Sequence, residues 1–288
     1  MTFGDFRRGM DEDNWQCFPG NNVDGEHINV KFEAIHKIVG DTPCLDSRSC
    51  RMLYDFILRS NIKDCLELGF AHGKSSCFMG AALHEKGQGG KLVTIDRNSV
   101  KSLKPNILEQ IEKTKLSDYV QPVFSETSYT WELMHLIEEA TVSGHCIPEF
   151  DFVFIDGAHT WETDACAFFL VEKLLRPGGW ILFDDLMWTL ENSPSMSQEE
   201  HVRAMPEDVR KTPHVERIVT LLVAQSPEFQ DILIRDGWAW AKKRITETEF
   251  NAPDIQVITK LYFLQAMKRE MRNKFREILP FLSKLARK

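Results

Sequence analysis

Between residues 64 and 185 one unit recurs: a short apolar run followed by a helix-length amphipathic stretch. The runs are DCLELG (64–69), KLVTID (91–96), YVQPVF (119–124), FDFVFID (150–156) and GWILFDD (179–185). The pattern predicts helices between them at 73–86, 104–116, 129–142 and 160–175, the last stopped by Pro177-Gly178-Gly179. Short apolar runs alternating with amphipathic helices call for an α/β fold on a parallel, doubly wound sheet. After Asp185 the unit stops. Residues 189–212 are polar and read as a surface loop with a helix, and 214–225 read as helical. QDILIRDGWAWAKK (230–243) reads as two strands around a tight turn at Asp236-Gly237. An antiparallel hairpin closing a parallel sheet gives a mixed sheet of seven strands.

The flanks differ. Residues 1–46 are rich in Gly, Asp, Asn and Pro, with one helix-like piece at 30–40, and read as an N-terminal cap segment. A helix is expected at 47–60, with Asp46 and Ser47 as candidate N-caps. The central domain then runs over 47–245. Residues 246–288 read as a C-terminal helical tail, in which Val257, Leu261, Leu264, Met267, Met271 and Phe275 recur at helical spacing and Pro280 makes a break. Such a stripe predicts packing on the body or on a sister subunit, hence a homo-oligomer. A basic membrane-surface or anion-binding helix is its other reading.

Charge and cysteine usage narrow the function. The net charge is −8, although residues 255–288 hold nine Lys/Arg against two Glu, so the rest is more acidic still. That balance argues against a nucleic-acid partner. The seven cysteines are scattered without a C-x-x-C pair, as expected of free thiols in a reducing cytoplasm. The first residues, MTFGDFRRGMDEDNW, contain no apolar signal-like region, and no apolar run approaches a membrane span. A cytoplasmic chain without a membrane partner is the expectation.

Two strand-like runs end in acids, and a histidine follows the first: Asp156, His159, Asp184 and Asp185. Parallel strands present their carboxyl ends to one ligand crevice. Three carboxylates in a small volume repel unless a cation neutralises them, and Mg²⁺ takes oxygen ligands of this kind. Taken singly, Asp156 reads as a cofactor contact, the paired acids as loop caps, and His159 as a residue at a helix start. Taken together, all four share one crevice edge.

CLELGFAHGKSS (65–76) places Glu67 and Gly69 at a strand end and Gly73 at the next helix start. Gly69 allows a sharp turn and close approach of backbone to a ligand. The G-x-G-x-x-G spacing of dinucleotide sites is missing, as is the P-loop, which disfavours a nicotinamide oxidoreductase. Glu67 would repel a pyrophosphate and suits a cationic ligand. Asp96, ending the second strand, is placed to accept ribose hydroxyls, with a helix N-cap as its plain alternative. Thr127 and Ser128 follow the third strand, where an adenine edge would lie.

LELG, VTID, FIDGAH and LRPGGWILFDD together resemble the class I S-adenosylmethionine-dependent methyltransferases, over residues 47–243. Within them the chain is similar to the divalent-metal-dependent O-methyltransferases of the catechol and of the macrolide-sugar and cephamycin-biosynthesis types. The resemblance implies a Rossmann-like methyltransferase fold. It implies that Glu67, Gly69, Gly73, Ser75, Asp96 and Ser128 line the cofactor pocket, that Asp156, Asp184 and Asp185 hold the metal, and that His159 is the catalytic base. Trp161 stands where the macrolide type often has Tyr. The catechol type has an amide at the place of Asp185 and a lysine base, so a catechol acceptor does not follow.

Methyl transfer from a sulfonium needs alignment and a nucleophilic acceptor. A metal chelating the acceptor supplies both, and an imidazole can take the proton near neutral pH. The sequence therefore predicts a Mg²⁺-dependent O-methyltransferase acting on a small molecule with a hydroxyl beside a second oxygen. Trp161, Trp188, Trp238 and Trp240 are candidates for an apolar acceptor wall, with core packing as their commoner use. Metal-independent N- or carboxyl-methylation, and a non-catalytic cofactor-binding protein that uses its basic tail, are the rival readings.

Overall fold

The computed structural model describes residues 30–245. The expected tail, and the first 29 residues of the cap, lie outside the described residues. Two helices lead in, α1 (Val30–Val39) and α2 (Ser47–Arg59). Asp46 is the N-cap of α2, its carboxylate accepting from Ser49 N at 2.8 Å. The alternation follows as β1 (Cys65–Leu68), α3 (Lys74–Lys86), β2 (Leu92–Arg97), α4 (Ile107–Thr114), β3 (Val120–Ser125), α5 (Tyr129–Glu139), β4 (Phe150–Ile155), α6 (Trp161–Leu174) and β5 (Leu175–Phe183). Short helical turns at Glu200–Arg203 and Glu207–Lys211 precede α7 (His214–Ile218), and β6 (Phe229–Arg235) and β7 (Trp238–Lys243) close the fold.

The seven strands pair in the order β3-β2-β1-β4-β5-β7-β6. The first five are parallel, and β7 runs antiparallel to both β5 and β6. This is the mixed, doubly wound sheet that the sequence predicts. Alternate residues of one strand feed opposite layers. Phe152 and Phe154 of β4 join the layer with α1, α2 and α3, whereas Val153 and Ile155 join the layer with α5, α6 and α7. Both faces are covered, so β1 is buried at all four positions and shows no polar alternation. No described helix is long and apolar enough to cross a membrane.

The structure redraws four boundaries. Helix α4 begins at Ile107, because the Asn106 side chain accepts from Glu109 N at 3.1 Å and starts it there. Helix α5 ends at Glu139, and Thr141–Val142 turns back to pair with His145–Cys146. Ser143 and Gly144 hold φ of 53° and 83° between them, the backbone of a tight hairpin turn. Pro177-Gly178-Gly179 does not stop α6, which has ended at Leu174; it lies inside β5, where the pairing register with β4 shifts. Proline and glycine are tolerated in a strand at such an irregularity. The helix expected over 214–225 widens into a π-helical turn at Val219–Val223.

Pairing register sets up the crevice. Leu68 stands opposite Ile95 and Ile155, and Ile155 opposite Phe183. The next residues therefore form one row across the sheet. Gly69 N donates to Ile95 O (2.8 Å), Asp156 N to Leu68 O (2.9 Å) and Asp184 N to Ile155 O (3.0 Å). The strand order reverses between β1 and β4, where open α/β sheets bind ligands.

Candidate active site

The turn after β1 is built from backbone that few side chains tolerate. Gly69, Ala71 and Gly73 have φ of 89°, 43° and 83°. A Cβ on Gly69 would lie 2.0 Å from Asp156 O, so the ends of β1 and β4 meet only because residue 69 has no side chain. Asp96 ties this turn down. Its Oδ2 accepts from Phe70 N (2.9 Å) and Ala71 N (2.8 Å), and Oδ1 accepts from Arg97 N (2.6 Å). The carboxylate expected to face a ribose is therefore engaged with the loop that would cradle the same ligand.

Glu67 is fully buried. One oxygen, Oε2, accepts from Thr94 Oγ1 at 2.6 Å and from the Ser76 hydroxyl. Oε1 has no partner. Burial raises its pKa, and the surrounding hydroxyls of Ser75, Ser76 and Thr94 pull the other way. A buried carboxyl oxygen left open beneath a glycine turn fits a ligand carrying positive charge. Ser75 is buried in the first turn of α3 beside it. Thr127 is exposed, and Ser128 is the N-cap of α5, accepting from Thr130 N at 3.2 Å.

At the acceptor end three groups converge. Asp156, His159 and Asp185 each place one ligand atom within 4.8 Å of the others. His159 Nε2 lies 3.7 Å from Asp156 Oδ1 and 3.6 Å from Asp185 Oδ2. His159 and Asp185 hold φ of 52° and 53°, a left-handed conformation that non-glycine residues seldom adopt and that clusters at functional sites. The Trp188 ring lies 5.2 Å from the imidazole. Burial and the charges of Asp184 and Asp185 drive the Asp156 carboxyl well above the usual range. Two carboxylates and an imidazole in this space are a donor set for a hard divalent cation.

Asp184 is not one of the converging three. It is buried, its Oδ1 accepts from Asp185 N at 2.6 Å, and the Trp238 side chain is hydrogen bonded to it. Burial, reinforced by the charge of Asp185, pushes its pKa up to about 6. The tryptophans divide likewise. Trp238 and Trp240 are core residues packed near Phe56, Phe152 and Phe154. Trp188 stands beside His159, and Trp161, two residues on from His159, is 37% exposed. Of the other histidines, His72 contacts Pro105 O (2.7 Å) and His84 packs on Tyr119. The six described cysteines are free thiols.

Three residues at this edge carry no readable signal in the sequence. Tyr129 and Asp164 hydrogen bond to each other beneath the 156–160 turn. His214 accepts from Trp161 N at 3.1 Å through Nδ1, while its Nε2 contacts Val209 O at 2.9 Å. The acceptor at Nδ1 leaves the proton on Nε2.

Residues 66–186 match the family model described as a methyltransferase domain. No curated protein matches the sequence. Among solved structures, the Bacillus cereus O-methyltransferase in complex with SAH is 19% identical, covers 81% of this chain and 99% of its own, and aligns with a TM-score of 0.53. The SAH-bound Podospora anserina methyltransferase PaMTH1 is 17% identical, covers 75% of this chain and 86% of its own, and has a TM-score of 0.51. At these identities the structural likeness shows the fold. Over residues 66–186 the chain is thus similar in sequence to a methyltransferase domain, and its fold is that of these two methyltransferase structures.

Proposed function

We propose that this domain transfers a methyl group from S-adenosylmethionine to a hydroxyl oxygen of a small acceptor, with a divalent cation such as Mg²⁺ held by the crevice acids and His159 as general base. The observation that carries the reading is the convergence of Asp156, His159 and Asp185 beside the glycine turn. The cofactor half rests on the open Oε1 of Glu67 and the Gly69–Gly73 backbone. A bound cation would supply Lewis acidity that lowers the pKa of a chelated hydroxyl and fixes its direction. His159 is within reach of the same space and takes the hydroxyl proton as the acceptor oxygen displaces sulfur at the methyl carbon. The C–S electron pair leaves with sulfur as a neutral thioether, so no general acid is required. Trp188 and the exposed Trp161 give the mouth an apolar side. An acceptor with two neighbouring oxygens on an apolar body fits that combination. The reading places the chain in the cytoplasm, as a homo-oligomer, without nucleic-acid or membrane partners.

The same convergence favours a second role for His159. Its Nε2 is nearly equidistant from both carboxylates, which suits a third metal ligand. The two roles separate experimentally. Loss of Mn²⁺ affinity in His159→Ala marks a ligand, and retained affinity with lost turnover marks a base.

Turnover of a panel of vicinal diols and hydroxy-carbonyl compounds, with Mg²⁺ and with excess EDTA, tests the whole reading. Methylation that stops in EDTA and returns with Mg²⁺ supports it. Undiminished methylation in EDTA moves the domain to metal-independent N- or carboxyl-transfer. Cofactor binding without turnover of any acceptor would instead favour a non-catalytic binding protein.

A further inference from the structure

We propose that Tyr129 and Asp164 are positioning residues, the phenol anchored by the buried carboxyl holding the 156–160 turn in the shape that brings Asp156 and His159 together. This rests on the reading of Asp156, His159 and Asp185 as the reaction centre. Tyr129 is 5% exposed and Asp164 wholly buried. The Tyr129 hydroxyl donates to Asp164 Oδ1 and accepts from Ala158 N at 3.1 Å. A Cβ on Gly157 would lie 2.6 Å from Tyr129 Cε1 and 2.7 Å from its oxygen, so ring and turn are in direct contact. One phenol thus touches both residues that separate Asp156 from His159.

The turn needs such a support. Its start is fixed to the sheet by Asp156 N, and its end to α7 by the Trp161 N bond to His214. Between these anchors His159 holds φ of 52°, a strained conformation that persists only where surroundings over-determine it. The Ala158 N–H bond to the phenol holds the middle. A buried acid is costly; here Oδ1 accepts the hydrogen bond of the phenol, and the backbone N–H groups of His159 and Thr160 also favour the carboxylate. The pair therefore spends a buried polar group on the backbone of the reaction centre. Groups that orient metal-site residues in this manner change metal affinity by about 10- to 100-fold when removed.

The test uses the full chain and Mn²⁺ alone, followed by electron paramagnetic resonance well below each variant's melting temperature. Tyr129→Phe and Asp164→Ala should weaken Mn²⁺ binding about tenfold or more. Asp164→Asn keeps an oxygen for the phenol and should restore affinity to near the wild-type value. Unchanged Mn²⁺ affinity in Tyr129→Phe and Asp164→Ala, whether or not their melting temperatures fall, would overturn the proposal and leave a packing role. Should the wild-type chain bind no Mn²⁺, the metal reading fails by itself, and hydrogen exchange at the Ala158 amide decides the positioning role. Faster exchange in Tyr129→Phe and Asp164→Ala, but not in Asp164→Asn, supports it; equal exchange in all four proteins overturns it.

Discussion

His159 and Asp185 follow different strands, yet both take left-handed backbone, with φ of 52° and 53°, and their Nε2 and Oδ2 atoms stand 3.6 Å apart. Neither residue gains this conformation cheaply. His159 stands four residues past the end of β4 and Asp185 two residues past the end of β5, and both face the same volume. Strain of this kind at two facing positions is what a preorganised site requires.

His159→Ala should lower turnover by about 10²- to 10⁴-fold, the usual worth of a positioned general base. S-adenosylmethionine binding should be nearly unchanged, because Glu67 and the glycine turn lie on the β1 side of the crevice. Single-turnover kinetics beside calorimetry separate the two quantities. Full turnover in the variant removes His159 from the mechanism.

Gly69 and Gly87 give a matched pair of substitutions. Both have positive φ, 89° and 65°, but a Cβ at residue 87 meets nothing within 4 Å, whereas one at residue 69 meets Asp156 O at 2.0 Å. Gly87→Ala should cost only the left-handed backbone penalty, about 1–2 kcal/mol. Gly69→Ala adds a backbone clash that forces β1 and β4 apart, and should cost roughly 3 kcal/mol or more. Urea denaturation midpoints measure the difference. Equal costs would mean that the crevice is wider than described.

The strand ends were legible in the sequence because four of the five apolar runs stop at Gly69, Asp96, Asp156 or Asp184, and parallel pairing sets such ends in a row. The closing hairpin was legible from Asp236-Gly237. What could not be read is which of two adjacent acids enters the crevice, since that depends on the backbone turn at Asp185. Tyr129 and Asp164 were hidden for another reason. They are 35 residues apart and look like ordinary positions of two amphipathic helices, and only the packing of α5 against α6 joins them. Pro177-Gly178-Gly179 misled because proline and glycine mark a strand irregularity as readily as a helix end.

Acid stability should depend on a cluster at the opposite end of β4 from Asp156. Burial would raise the Asp151 carboxyl, but bonds from Arg176, Asp64 N and Lys63 N outweigh it and hold the group below its ordinary value of 3.8. A depressed folded pKa gives stability that is complete above the unfolded value and is lost as pH falls below it and through the folded one. Asp151→Asn should cost about 1–2 kcal/mol at pH 7, since the Arg176 partner is partly solvated. The gap between variant and wild type should close as pH falls below 3.8. Thermal melts from pH 7 to pH 2.5 read it, and a gap that widens toward acid would contradict the sign.

The two adjacent acids should behave oppositely when neutralised. Asp185 shares its space with Asp156 and His159 and is half exposed, its side chain 50% accessible. Asp185→Asn removes one of the converging charges, so Mn²⁺ affinity should fall at least about tenfold, while the metal-free fold loses little. Asp184 is buried, and both its burial and the charge of Asp185 already oppose its ionisation. An amide there keeps an oxygen for Asp185 N and removes a repulsion from a crowded anionic edge. Asp184→Asn should therefore leave the metal-free protein as stable or more stable, by up to about 1 kcal/mol, with Mn²⁺ affinity reduced less than in Asp185→Asn. Metal titrations and urea melts on both variants decide between the arrangements. If both lose Mn²⁺ binding equally, Asp184 swings into the coordination shell when the cation arrives, and the three-acid set implied by the sequence is the functional one.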